Sequence, residues 1–153
     1  MQRMMLLLYR AQRLRWKVLR PVTLGVRVMV VRDGEVLLVR HSYVPGWYFP
    51  GGGLKRSESP EEAVRREAQE EVGATLHDLV LVGVFHNTQE HKSDHIVLFR
   101  CDDFSLDERP PSPEIAEAAF HAIDDPPEGT NPGTLRRIEH LRQGGFSPYF
   151  GEW

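Results

Sequence analysis

Two strand-like runs rich in apolar residues, Val22 to Val31 and Val36 to Arg40, are joined by Asp33-Gly34 and predict a β-hairpin. Trp47-Tyr48-Phe49 predicts a short strand that delivers Pro50 and the glycines Gly51, Gly52 and Gly53 to the next element. That element is a helix. Ser59 suits its N-cap, Pro60 its first position, and Glu62 the acidic place of a capping box. Along the helix Val64, Ala68 and Val72 form an apolar strip. At about 100° of rotation per residue, Glu67, Glu70 and Glu71 share an adjacent arc of roughly 100°. Thr75 to Phe85 and His95 to Cys101 predict a second hairpin, with a polar loop between them. Asp102 to Pro113, broken by three prolines, predicts a loop, Ala116 to Ile123 a strand and Thr134 to Arg142 a closing helix. Strands and helices interleave without a strict βαβ period, so the expected fold class is α/β, a mixed β-sheet flanked by helices.

The chain of 153 residues suits one domain, and 41% hydrophobic with 27% charged residues is ordinary globular composition. A net charge of −3 argues against a dedicated nucleic-acid binder. Cys101 is the single cysteine, so the chain builds neither a disulfide framework nor a cysteine-based zinc site, and a cytoplasmic location is expected. Residues 1–20 differ from this average: Arg3, Arg10, Arg13, Arg15, Lys17 and Arg20 occur there with no acidic residue. They predict a basic, partly amphipathic helix that packs on the domain or on a second copy of the chain in a homodimer. Contact with RNA or a membrane surface is the alternative. Residues 21–143 form the expected central domain, and 144–153 an aromatic tail that packs on the domain or on a partner chain.

Three carboxylates on one helical arc repel one another, and a divalent cation resolves the conflict. Hard ions such as Mg²⁺ or Mn²⁺ take oxygen ligands and are completed by water and substrate phosphates, which matches an acidic patch beside a glycine loop. Arg66 is placed to pair with Glu70 or Glu62. A solvated acidic helix face is the plainer explanation of the cluster taken alone.

The wider spacing decides between them. Gly52, Glu58, Arg66-Glu67, Glu70-Glu71 and Gly73 stand at intervals that resemble the signature of the Nudix hydrolases (MutT-like), with every charged and glycine position filled. Ala68 and Ala74 depart from it where bulky aliphatics are usual. The resemblance runs loosely from Val22 to Leu141 and implies an α/β/α sandwich. It further implies hydrolysis of a nucleoside diphosphate linked to another moiety, by attack of water on phosphorus. By motif position it makes Glu67, Glu70 and Glu71 cation ligands, with the Gly51 carbonyl a further oxygen. Glu67 or Glu70 is the catalytic carboxylate, and Glu58 and Arg66 orient the helix. Many members add an acidic residue from a later loop; Glu114 is the candidate, Glu117 the runner-up.

Substrate contacts are assigned more loosely to Arg27, Arg40, His41, Trp47 and Tyr48, each with a surface or core role as its alternative. His86, His91 and His95 form a loose cluster that lacks zinc spacing. Two other functions compete with the leading one. The first is removal of pyrophosphate from an RNA 5′ end, helped by the basic amino terminus. The second is a non-catalytic module that senses a nucleotide or binds a protein, against which the complete carboxylate set argues.

Overall fold

The computed structural model describes residues 2–19, 21–88, 93–108, 111–144 and 149–153. In chain order the elements are α1 (Gln2–Leu19), β1 (Val22–Arg32), β2 (Glu35–His41), β3 (Trp47–Tyr48), α2 (Pro60–Val72), β4 (Ala74–Leu76), β5 (Val80–Asn87), β6 (Ser93–Cys101), β7 (Phe104–Leu106), β8 (Ile115–Ala122), α3 (Pro132–Arg142) and β9 (Tyr149–Glu152). The strands follow the order β3-β2-β1-β6-β5-β9, with β8 beside β2 and a separate β4-β7 pair. Strand β1 runs parallel to β6 along nine residues, and β5 parallel to β9, whereas the other pairs are antiparallel. The sheet is therefore mixed.

Successive side chains of a strand point to opposite faces, and the sheet's central strands are buried on both. Val26, Val28 and Val30 of β1 with Leu37 and Val39 of β2 meet Ala63, Val64, Ala68 and Val72 on one side. Met29 and Val31 with Val36 and Leu38 meet Ile138, Leu141 and Trp153 on the other. Helix α2 covers the first face and α3 the second, giving the α/β/α sandwich. Ala68 and Ala74, small where the signature is usually bulky, are both fully buried in the first core.

Three expectations need correction. The run Thr75 to Phe85 is two strands rather than one, because the chain bends after Leu76 and the His77 amide bonds the Asp103 carbonyl at 2.9 Å. Within the expected loop Asp102 to Pro113, Phe104–Leu106 pairs with Ala74–Leu76 as β7. Thr75 and Leu76 lie within the expected strand, whereas Phe104–Leu106 becomes one by pairing with them. Trp47-Tyr48-Phe49 contributes only two residues to β3, and Phe49 enters the second core instead.

Helix α1 stands apart from both cores. Tyr9 brings it to the domain, its ring centroid 5.5 Å from that of Tyr43. No helix among the described residues is long and apolar enough to cross a membrane.

Candidate active site

Helix α2 begins where its sequence places it. The Ser59 hydroxyl accepts from the Glu62 amide at 3.2 Å, and the Glu62 carboxylate accepts from the Ser59 amide at 2.8 Å, closing the capping box. Gly73 ends the helix in the left-handed conformation, φ 69°, which a residue with Cβ adopts at a cost. Thus the carboxylates of α2 are held on a helix fixed at both ends.

The glycine loop lies along β1. The Val26 amide bonds the Gly52 carbonyl at 2.9 Å and the Val28 amide bonds the Pro50 carbonyl at 3.0 Å. Gly51 has φ 138°, and a Cβ there would collide with the Val26 carbonyl. At Gly52 a Cβ would stand 2.6 Å from Glu67 Oε1, so that carboxylate occupies the space which the missing side chain leaves. The close backbone approach at these two glycines is thus to β1 at Gly51 and to Glu67 at Gly52.

Glu71 is 7% exposed and its Oε2 accepts from the Gly51 amide at 2.8 Å. Burial pushes its pKa up to about 7; Glu67 and Glu114 add to the rise, while Arg27 and the Gly51 amide oppose it. Arg27 Nη1 donates to the Phe49 carbonyl at 3.0 Å and to the Gly51 carbonyl. This arginine therefore clamps the loop from beneath, and the Gly51 carbonyl retains one lone pair for another partner.

Arg66 organises the other carboxylates. It grips Glu58 with two bonds, Nε to Oε1 at 2.7 Å and Nη2 to Oε2 at 2.9 Å, and donates through Nη1 to Glu67 at 2.7 Å and Glu70 at 3.2 Å. The Arg66 guanidinium and the Lys55 amide hold the Glu58 carboxyl down to about 2. Glu62 is taken by Ser59, so of the two partners first weighed for Arg66 only Glu70 is used. The Glu70 side chain is 55% exposed and also faces Lys55 Nζ at 3.6 Å, which puts it on the outer rim.

A cleft of about 400 Å³ opens beside this loop, and Glu67, Glu71 and Glu114 all line it with Gly51, Gly52 and Gly53. Arg27, His41 and Tyr48 line it as well. His41 Nδ1 is buried without a hydrogen-bond partner, and burial, aided by Arg27, lowers the imidazole pKa to about 4, so the ring is neutral at pH 7.

Other sequence candidates lie elsewhere. Glu117 pairs with Arg40 at 2.7 Å, the two facing each other in the β2–β8 register, and neither lines the cleft. Trp47 packs in the second core with its ring edge on His121. His86 and His95 oppose each other across β5 and β6, also away from the cleft, and His91 lies outside the described residues. The sequence reading missed Tyr9, Trp16 and Tyr43 as lining residues, along with Asn87, Asp94 and Trp153. Nothing local marks these residues, since α1, β5, β6 and β9 reach the cleft only through the topology.

Among the described residues no three His, Cys, Asp or Glu side chains form a ready-made metal cage. Mg²⁺-type ions do not require one, because they keep several waters and use one or two carboxylates plus substrate phosphate. Glu71 and Glu67 are hard oxygen donors in a small glycine-lined recess. The raised pKa of Glu71 means that its charge lacks full compensation there. The donor set fits such a cation.

A profile of the NUDIX domain matches residues 21–141, and the chain belongs to this family. Over 56 residues it is 42% identical to an RNA pyrophosphohydrolase of Marinomonas sp. (strain MWYL1), a stretch covering 37% of this chain and 35% of that protein. Over 74 residues it is 38% identical to a MutT-like protein of Streptomyces ambofaciens, covering 48% and 47% respectively. The matched stretches thus span between a third and a half of these curated relatives. The fold is similar to the crystal structure of a MutT NUDIX hydrolase from Burkholderia pseudomallei, with TM-score 0.72 and 26% identity, covering 78% of this chain and 98% of that one. A NUDIX hydrolase from Nitrosomonas europaea gives TM-score 0.72 and 25% identity, covering 82% and 92%.

Proposed function

We propose that this chain is a Mg²⁺- or Mn²⁺-dependent pyrophosphohydrolase that cleaves a nucleoside diphosphate linked to another moiety, by attack of water on phosphorus. The observation that carries the reading is the buried Glu71 carboxylate, bonded to the glycine loop and sharing one cleft with Glu67 and Glu114. Glu71 and Glu67 would hold the cation, with the Gly51 carbonyl beside them and Glu70 joining from the rim. When bound, the cation supplies charge neutralisation on the phosphate oxygens.

The protein's own groups do the rest. Arg66 fixes the rotamer of Glu67, and the Gly51 amide fixes that of Glu71, so neither carboxylate must reorganise when phosphate arrives. Glu114 is the assigned general base: it faces the cleft from the segment leading into β8, and the Ser42 amide anchors its carbonyl at 2.8 Å. It takes a proton from the attacking water as the new P–O bond forms and the bridging P–O bond breaks. Glu67 is the alternative base. Purified protein assayed with Mg²⁺ or Mn²⁺ against nucleoside triphosphates, nucleotide sugars, ADP-ribose, dinucleotides and capped RNA tests the reading. Release of a nucleoside phosphate together with pyrophosphate or the other phosphorylated moiety from at least one of them is expected, and none from any would refute it.

A second reading has its own support. Several similar proteins bear the name RNA pyrophosphohydrolase, and the basic helix α1 reaches the cleft through Tyr9 and Trp16. On this reading the substrate is a triphosphorylated RNA 5′ end, and affinity falls steeply with salt as phosphates are neutralised by arginines. Salt-independent binding of such an RNA would exclude it.

A further inference from the structure

Helix α1 precedes the stretch that the family profile matches, yet two of its side chains line the cleft that holds Glu67, Glu71 and Glu114. Tyr9 and Trp16 are seven residues apart, close to two helical turns, and so share one face. That face is turned to the domain. The opposite face carries Met4, Leu7, Leu14 and Val18, all more than half exposed. Neither Tyr9 nor Trp16 belongs to either hydrophobic core, and both rings remain half-buried at the cleft.

A line of rings runs from the helix toward the glycine loop. Tyr9 stands 5.5 Å from Tyr43, Tyr43 5.5 Å from His41, and His41 5.6 Å from Tyr48, all tilted. One side of the cleft is therefore aromatic near α1 and anionic near α2. Arg13 lies over the Tyr9 ring at 5.9 Å from its centroid, and the ring surface that still lines the cleft gives a planar heteroaromatic ligand a contact at low conformational cost. The carboxylate end, by contrast, suits a phosphate chain carried by a divalent cation.

We infer that Tyr9 and Trp16 of helix α1 form the base-stacking wall of the substrate site, so that the substrate is a nucleotide whose aromatic base lies under α1 while its phosphates reach the α2 carboxylates. The inference rests on the pyrophosphohydrolase reading for the phosphate end. It adds residues outside the family's matched domain as determinants of specificity. Helix α1 is then a working part of the site in each chain rather than an appendage.

The test is calorimetric titration of the full chain with Mg²⁺ and the α,β-methylene analogues of ATP and GTP, beside inorganic tripolyphosphate as the base-free probe. The double variant Tyr9→Ala/Trp16→Ala should lose about tenfold or more in affinity for at least one nucleoside probe, the scale of one base–aromatic stack. Its affinity for tripolyphosphate should stay unchanged. Tyr9→Phe/Trp16→Phe, which keeps the rings, should bind the nucleoside probes as the parent does, within about threefold. Nucleoside affinity within about twofold of the parent in the alanine variant would overturn the inference, and so would an equal loss for tripolyphosphate, which would mark α1 as merely structural. Hydrolysis of the unmodified nucleotides is measured in parallel. Its absence with ring-dependent binding intact would sink the hydrolase reading and leave the base wall standing.

Discussion

Glu71 Oε2 accepts a hydrogen bond from the Gly51 amide at 2.8 Å, so the most buried acid of α2 is tied directly to the glycine turn. The bond spans the two halves of the signature. It sets the distance between a carboxylate and a loop whose glycines permit close approach, and it does so before any ligand arrives. Most of what the site does chemically follows from that fixed relation.

The same burial makes Glu71 a source of pH-dependent stability. Its folded pKa of about 7 lies above its ordinary value of 4.5, so the folded state binds the extra proton. This favourable contribution is complete below about pH 4.5 and is lost as pH rises through about 7, roughly 3 kcal/mol in all. In chelator, the Tm difference between Glu71→Gln and the parent should therefore grow in the variant's favour from pH 4.5 to 7.5. A difference that stays flat with pH would contradict the assignment. Added Mn²⁺ should raise the parent's Tm more at pH 8 than at pH 5, since only the ionised carboxylate is a ligand.

Arg66→Lys keeps the charge but not the fork that spans Glu58, Glu67 and Glu70. A single ammonium cannot reproduce the two parallel bonds to Glu58. The expected result is a fall of about 10- to 100-fold in kcat, with a loss of stability by urea denaturation. Retention of full activity in the lysine variant would show that Glu67 needs no such support.

Gly51→Ala and Gly52→Ala separate backbone fit from site geometry. At Gly51 the new methyl meets the backbone of Val26, which has nowhere to move, so the variant should lose stability as well as activity. At Gly52 it meets the end of the Glu67 side chain, which can swing aside. Gly52→Ala should therefore keep a near-parental Tm and lose turnover. Thermal melts and initial rates on the same samples check both.

Trp153 closes the second core, with its ring 6.4 Å from Phe49 and 6.0 Å from Phe85 and its indole seated on Gly133. Trp153→Ala should cost about 3–5 kcal/mol in urea denaturation. Gly133→Ala, which drives a methyl into the same indole, should destabilise in the same direction. A cost below about 1 kcal/mol for Trp153→Ala would mean that the tail adds little to the core.

How much of this was legible in the sequence depends on the range of the interaction. The start of helix α2 was readable, because Ser59, Pro60 and Glu62 act on their own backbone within a turn. The β1–β2 hairpin was readable from Asp33-Gly34 for the same reason. Strand β7 was not, nor was the break between β4 and β5, since β7 is three residues long and forms by pairing with β4 across the intervening chain. At the site, the acidic arc and the glycines were visible as a motif. What spacing could not give was the division of labour among the acids: Glu71 buried, Glu67 under Gly52, Glu70 at the rim with Lys55. Arg40 and Glu117 look like separate candidates until strand register makes them partners. Tyr9, Trp16 and Tyr43 carry no local mark at all and come to line one cleft only in the folded chain.

The central claim is that Glu71, held by Gly51, binds the cation on which turnover depends. The most direct measurement is Mn²⁺ binding to the parent and to Glu71→Gln by titration, with turnover on the best substrate of the panel followed in the same samples. The account predicts that the variant folds as the parent does, loses most of its Mn²⁺ affinity and most of its metal-dependent turnover. Parental Mn²⁺ affinity and full turnover in a folded Glu71→Gln protein would contradict it.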